Sequence, residues 1–295
     1  MTITINDSAI TTRIASLDEL QLLLLWAGDE GWNPGLDDAP LFHSTDADGF
    51  LVSTINEHLV AGISLVKHTS DQAFLGLYIC APESRGKGIG MAIWDEALTL
   101  VDGHTIGLDG VADQQENYRK SGFIYHFGNR RYSGELAIPD DHISLILNNA
   151  AVSVSKATSD DSDAVIAYDA SIGGFERINF FHAWLKLCRS RSTFVARKGG
   201  LIVGVIGVRR CQDGYKVGPW LADSQFIATK LLHAVSHVTK NETVMIDIPD
   251  INEAAIEIAE ALALQPMFDT ARMYKGVAPE IDERRLFGVA TLELG

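Results

Sequence analysis

Leu75-Gly76-Leu77-Tyr78-Ile79-Cys80, Ala81-Pro82-Glu83-Ser84, Arg85-Gly86-Lys87-Gly88-Ile89-Gly90 is the segment from which the rest of the chain can be organised. Its apolar opening reads as a strand, its middle as a turn, and its glycine-rich end as a loop that enters a helix. That helix continues with Ile93, Ala97 and Val101 on the face of Ile89. A strand, a glycine-rich loop and a helix N-terminus together make an anion site. The first N–H groups of a helix have no partner, the helix dipole favours negative charge there, and glycine lets a phosphate approach the backbone. Arg85 and Lys87 add positive charge. The alternative is a glycine-rich turn that only starts a helix. Two other phosphate motifs are absent: no Gly-Lys-Ser/Thr ends the loop, and the glycine spacing is not that of a dinucleotide fold.

Downstream, Thr105-Ile106-Gly107-Leu108-Asp109 reads as a strand, and Asp113 to Lys120 as a helix ended by Ser121-Gly122-Phe123. Gly122 suits the left-handed position that closes a helix. Tyr118 stands one turn before it. Upstream, Thr12-Arg13-Ile14-Ala15 leads into Ser16 with Glu19 three residues on, a capping box before the apolar stretch Leu20 to Ala27. The segment Glu30-Gly31-Trp32-Asn33-Pro34-Gly35 follows it.

Arg85-x-x-Gly88-x-Gly90 after a strand, with Tyr118 four residues before Gly122-Phe123, resembles the GNAT N-acetyltransferase family. The resemblance implies acetyl-CoA as cofactor, its pyrophosphate on Arg85, Gly86, Lys87, Gly88, Ile89 and Gly90, and its pantetheine arm along the amides of Leu77, Tyr78 and Ile79. It places the Tyr118 hydroxyl beside the cofactor sulfur, where a phenol can protonate the departing thiolate. The alternative is a tyrosine that only packs the helix on the sheet. The family's frequent glutamate near the strand before the loop has no counterpart in Phe74 to Cys80. Asp109, on the neighbouring strand, is then the candidate base, or else a structural carboxylate at a strand end. Glu83 reads as an exposed loop residue and Cys80 as a small core residue. Trp32 and Asn33 fall where the family's helix–loop–helix covers the acceptor, as an aromatic wall beside a polar group or as a packed turn.

The opening script recurs one domain length later. Val154-Ser155-Lys156-Ala157 precedes Thr158-Ser159-Asp160-Asp161 and an apolar stretch through Val165 and Ile166. Each half continues with a hairpin, a strand, a helix and a strand: Phe50–Ser53 with Leu59–Val66 in the first, Phe194–Arg197 with Leu201–Val208 in the second. The expected fold is α/β: two tandem GNAT-like domains, each a mostly antiparallel mixed sheet flanked by helices. Residues 1–138 would be the catalytic domain, 139–150 a linker punctuated by Pro139-Asp140-Asp141, and 151–295 a degenerate domain shaping the acceptor cleft.

That degeneracy is visible in Tyr215-Lys216-Val217-Gly218-Pro219-Trp220-Leu221-Ala222-Asp223-Ser224, where the Arg-x-x-Gly-x-Gly run is missing. Asp223 or Ser224 reads as an N-cap that occupies the helix terminus with its own side chain. Aligning Ala263 with Gly122 puts Ala259 where Tyr118 stands. The second half is therefore expected not to bind acetyl-CoA. Arg177, Tyr215, Asp247, Arg272 and Tyr274 are its candidate pocket residues, the last two on a final strand around Phe268-Asp269-Thr270-Ala271-Arg272-Met273-Tyr274; Trp184, spaced helically from Phe180 and Phe181, reads as core.

Composition narrows the function further. The chain has 295 residues, 24 Lys plus Arg against 39 Asp plus Glu, and a formal charge of −15. Such acidity argues against nucleic acid as a partner. The longest wholly apolar run, Leu22–Ala27, is too short for a bilayer, and the polar start does not resemble a signal peptide. Three scattered cysteines suggest neither disulfides nor a metal site and fit a reduced, cytoplasmic setting. Residues 1–150 carry 8 basic against 21 acidic side chains, residues 151–295 16 against 18. The acidic half either draws a cationic substrate into a cleft or is a solvated face that aids solubility. The expected activity is acetyl transfer to a primary amine, and a second domain closing the cleft favours a small molecule. The alternatives are an acyl-CoA-binding sensor that performs no transfer and an acetyltransferase acting on protein amines.

Overall fold

The computed structural model describes residues 2–5, 8–138 and 151–295; the expected linker at 139–150 lies outside the described residues. The first half runs β1 (Thr2–Ile5), β2 (Ser8–Ile14), α1 (Leu17–Asp29), α2 (Asp38–Thr45), β3 (Phe50–Ile55), β4 (His58–Lys67), β5 (Gln72–Cys80), α3 (Ile89–Thr99), β6 (Thr105–Val111), α4 (Gln115–Lys120) and β7 (Ile124–Gly134). The second runs β8 (Val152–Lys156), α5 (Ser162–Gly173), α6 (Ile178–Trp184), β9 (Arg191–Lys198), β10 (Leu201–Arg210), β11 (Tyr215–Ala222), α7 (Gln225–Thr239), β12 (Val244–Pro249), α8 (Glu253–Ala261), β13 (Gln265–Lys275) and β14 (Leu286–Gly288). Local chemistry sets the helix starts. Ser16 Oγ accepts from the Glu19 amide at 3.3 Å while the Glu19 carboxylate accepts from the Ser16 amide at 2.9 Å. Ser224, not Asp223, caps α7 by accepting from the Ile227 amide.

The strands form one continuous sheet in the order β1-β2-β3-β4-β5-β6-β13-β7-β12-β11-β10-β9-β8. The two halves have exchanged strands. β13 pairs antiparallel with β6 of the first half (Arg272 opposite Asp109), and β7 pairs antiparallel with β12 of the second (Arg131 opposite Asp247). β7 and β13 also pair with each other. The exchange leaves no central edge exposed, since each late strand is paired on both sides.

Side-chain alternation sends one set of residues to each face of this sheet. Phe50 and Val52 join a core made by α1 and α2 with α5 and α6, in which Leu23, Phe42, Phe180, Phe181 and Trp184 are fully enclosed. Trp184 is thus core, as its spacing indicates. Leu51 instead faces α3, beside Ile89, Ile93, Trp94 and Ala97. A third core lies under α7 and α8, around Trp220, Leu231 and Ile246.

The two parallel strand pairs matter most for function. β5 and β6 pair only from Gln72–Thr105 to Leu75–Leu108, and then separate. β11 and β12 pair only from Tyr215–Val244 to Val217–Ile246. In the second half the resulting gap is filled. β14 lies antiparallel on β11, with Trp220 opposite Gly288, and the Val289 amide donates to the Asp247 carbonyl at 3.0 Å. The chain end then crosses to the first half, where the Leu294 carbonyl bonds His68 Nε2 at 2.7 Å and Arg177 donates to the Gly295 carbonyl.

His68 makes that contact pH-sensitive. Its Nδ1 is buried without a partner, Phe175 and Phe180 flank the ring, and burial, helped by Arg177, lowers its pKa to about 4. The unfolded chain, with an ordinary value near 6.5, takes up the proton first. Stability is therefore complete above about pH 6.5 and falls as the pH approaches 4, by at most about 3 kcal/mol. Chemical unfolding at pH 7.5 and pH 5 measures this, and His68→Gln should remove most of the difference.

Candidate active site

The divergence of β5 from β6 begins at Gly76, and a bulge forms there. Gly76 pairs with Ser64 and Ile79 with Gly62, so β5 spends one residue more than β4 over this interval. Leu77 takes φ +43°, a conformation non-glycine residues rarely adopt. The slip changes which face the strand addresses: Ala73 and Leu75 lie with α3, Leu77 and Ile79 with α1. Leu77, Tyr78 and Ile79 line the gap. In the second half the matching bulge falls between Ile206–Trp220 and Val208–Val217, and it contains Pro219, which has no N–H to offer.

At the end of β5 the glycine-rich loop delivers the helix. Gly86 and Gly88 have φ of +71° and +79°, and no side chain caps α3. Its first-turn N–H groups therefore point outward. A Cβ on Gly90 would lie 2.7 Å from the Tyr78 hydroxyl, so a side chain there would have to displace the Tyr78 ring. Lys87 and Glu83 are exposed and Ile89 is buried in the core beneath. Arg85 donates to the Cys80 carbonyl at 3.1 Å and pairs with Glu30 at 2.5 Å, which fixes it at the mouth of the gap.

The gap opens into a cavity of about 490 Å3 that Tyr118 lines from α4. The Tyr118 ring stacks on Trp94 at 5.4 Å and rests on the bare backbone of Gly110, where a Cβ would lie 2.7 Å from it. Burial, and secondarily Tyr78, push the Tyr118 phenol well above its ordinary value, so it holds its proton throughout the neutral range. Burial also pushes Tyr78 up to about 12.

The far wall belongs partly to the exchanged strands and the chain end: Arg131, Phe268, Thr270, Leu292 and Glu293. Phe268 and Thr270 reach it because β13 lies beside β6. Arg131, fully buried, is held bidentate by Asp247 at 2.7 and 2.8 Å and also donates to the Trp32 carbonyl at 3.1 Å. Burial raises the Asp247 carboxyl, but Arg131 and Lys216 outweigh it and hold the group below its ordinary range. Asp109 lines the cavity too, with Arg272 on both oxygens at 2.8 Å and Asn129 on one at 2.7 Å.

The acceptor residues expected from sequence are thus sorted by the fold. Trp32 lines the cavity. Asn33 does not: its amide donates to the Asp213 carbonyl at 2.7 Å and accepts from the Asp213 amide at 3.2 Å, tying the loop to the second half. Tyr215 lies in a separate surface depression beneath Arg210. Tyr274 and Arg177 line a separate pocket near Phe74 and the chain end, where Arg177 pairs with Asp169. Asp247 and Arg272 stand behind the wall as ion-pair partners. Arg131 and Glu293 carried no sequence signal, since neither sits in a recognisable motif.

Residues 17–123 match the acetyltransferase (GNAT) family and residues 165–288 an acetyltransferase (GNAT) domain. A holothin acyltransferase from Pseudoalteromonas sp. (strain SANK 73390) is 34% identical over 286 residues, 97% of this chain and 94% of that protein. A provisionally assigned acetyltransferase from Pyrococcus horikoshii superposes with a TM-score of 0.78 at 20% identity, covering 97% of this chain and 96% of its own. A tandem GNAT protein from the clavulanic acid biosynthesis pathway does so at 0.62 and 14% identity, covering 92% of this chain and 100% of its own. With two matching halves and a full-length acyltransferase relative, the chain belongs to the GNAT family of acyltransferases, as a tandem member.

Proposed function

We propose that the first half binds acetyl-CoA and that the enzyme transfers the acetyl group to the amine of a small molecule in the cavity closed by the second half. The observation that carries this is the open gap between β5 and β6, bulged at Leu77 and ending on an uncapped helix terminus, next to a β11–β12 gap that the chain's own β14 fills. The residues present fit the cofactor: Gly86, Gly88, Ile89 and Gly90 offer backbone N–H groups to a diphosphate, Arg85 and Lys87 add charge, and the Leu77–Ile79 backbone offers a pantetheine arm its hydrogen bonds. Acetyl-CoA supplies an acyl group activated as a thioester. Tyr118 holds a proton at Oη for the sulfur, and the cavity walls exclude water and orient the amine, which is worth up to about 7–11 kcal/mol in the best intramolecular cases. With both oxygens held by Arg272 and Asn129, Asp109 serves as a positioning residue that ties β6 to β13. The relative's name, holothin acyltransferase, supports a small acceptor of that kind.

Calorimetry with acetyl-CoA and with coenzyme A tests the cofactor assignment. Arg85→Glu, which sets a second carboxylate opposite that of Glu30 at the loop, should weaken acetyl-CoA at least about tenfold. Wild-type affinity in that variant would refute the loop as its site. Small amines should outperform basic peptides as acceptors; the reverse ranking would reassign the cavity to protein amines.

A further inference from the structure

Among the described residues that line the cavity, three are acidic: Glu30, Asp109 and Glu293. Two are committed, Glu30 to Arg85 and Asp109 to Arg272 and Asn129. Glu293 is different. It is 4% exposed, its Oε1 has only Lys216 at 3.8 Å, and its Oε2 has no hydrogen-bond partner. A buried polar atom left unpaired is destabilising unless something that visits the site completes it. Thr270 Oγ1, on the same cavity wall, is unpaired as well.

Glu293 is also held in place. Its carbonyl packs so closely over Gly76 that a Cβ there would lie 2.2 Å away, and Ser64 Oγ reaches the same carbonyl at 3.5 Å. The following residue is clamped on both sides, its amide donating to Thr291 Oγ1 at 2.8 Å and its carbonyl bonded to His68. Gly76 immediately precedes the bulge at Leu77. The backbone that carries the Glu293 side chain is therefore anchored at the point where the gap opens. The charges around it balance: Lys216 on β11, Arg131 on β7 and Arg209 on β10 face Glu293, Asp247 on β12 and Asp38 on α2.

Building on the acetyl-transfer reading above, we infer that Glu293 is the catalytic base: its Oε2 accepts an N–H of the acceptor amine and takes the proton released when the amide bond forms. The proton account closes with the residues at hand. The amine's proton passes to Glu293, the thiolate's comes from Tyr118, and solvent takes one from Glu293 and returns one to Tyr118. A residue near the end of the second half thus completes a site built on the first.

Glu293→Gln tests this with two readouts, acetyl-CoA affinity by calorimetry and kcat/KM for the best small amine. The expected result is acetyl-CoA affinity within about threefold of wild type and kcat/KM lowered by about 10²–10⁴. Unchanged kcat/KM overturns the inference. Should the Gln variant fail to fold, Glu293→Asp keeps the charge balance and withdraws the carboxylate by one methylene. That variant should keep its melting temperature and lose at least about tenfold in kcat/KM, and wild-type kcat/KM in it also overturns the inference. Failure of the wild-type protein to bind acetyl-CoA would instead strike the reading of the previous subsection.

Discussion

Tyr118→Phe lowers kcat by about 10²–10⁴ while acetyl-CoA binds within about twofold of wild type. The phenylalanine ring can keep the stack on Trp94 and the seat over Gly110, so the substitution removes only the hydroxyl. The raised pKa of Tyr118 works in the same direction: the hydroxyl remains a proton donor at every pH where an amine is a good nucleophile. Tyr118 therefore contributes no falling limb to the rate–pH profile below about pH 10. Steady-state kinetics with calorimetry distinguishes this from a packing role. A packing role predicts unchanged kcat in the Phe variant, because the packing is unchanged.

Asp247→Ala lowers the melting temperature by roughly 10 °C, the second large effect. It strands Arg131, whose side chain is 1% exposed, without its bidentate partner. Removing one member of a buried pair costs about 3–5 kcal/mol, and a domain of this size shifts by about 2–4 °C per kcal/mol. The adjacent Arg130 provides the control. Its pair with Asp269 is 48% and 59% exposed, so Asp269→Ala should change stability by no more than about 1 kcal/mol. Two neighbouring arginines on one strand thus give opposite outcomes because their side chains face opposite sides of the sheet. Calorimetric melting of both variants checks the contrast; equal shifts would mean the Arg131 pair is hydrated. Asp247→Ala should also raise the acceptor KM, since Arg131 forms part of the cavity wall and holds the Trp32 carbonyl.

The Arg85–Gly90 loop, the helix stop at Gly122, the Ser16–Glu19 cap and the recurrence of one script in both halves were legible because each depends on neighbours a few residues apart. Even the second half's degeneracy could be read this way: the missing loop glycines, the cap at Ser224, and Ala259 in place of Tyr118, followed by Ala263 at φ +54° where Gly122 has +91°. These features depend on backbone sterics and on unpaired helix N–H groups, which act locally. Other features were invisible at that range. The exchange of β7 and β13 and the arrival of Thr270 and Glu293 at the cavity join residues more than a hundred positions apart, and the filling of the second gap by β14 joins residues as distant in sequence as Trp220 and Gly288. A strand's pattern shows which face it buries but not which neighbour it pairs with, because any strand edge offers the same N–H and C=O groups. The glycine-rich loop after β5, Tyr118 before Gly122-Phe123 and the duplication could thus be read from neighbours along the chain; which acidic side chain at the cavity lacks a hydrogen-bond partner follows from the fold, because that depends on which charges are already paired.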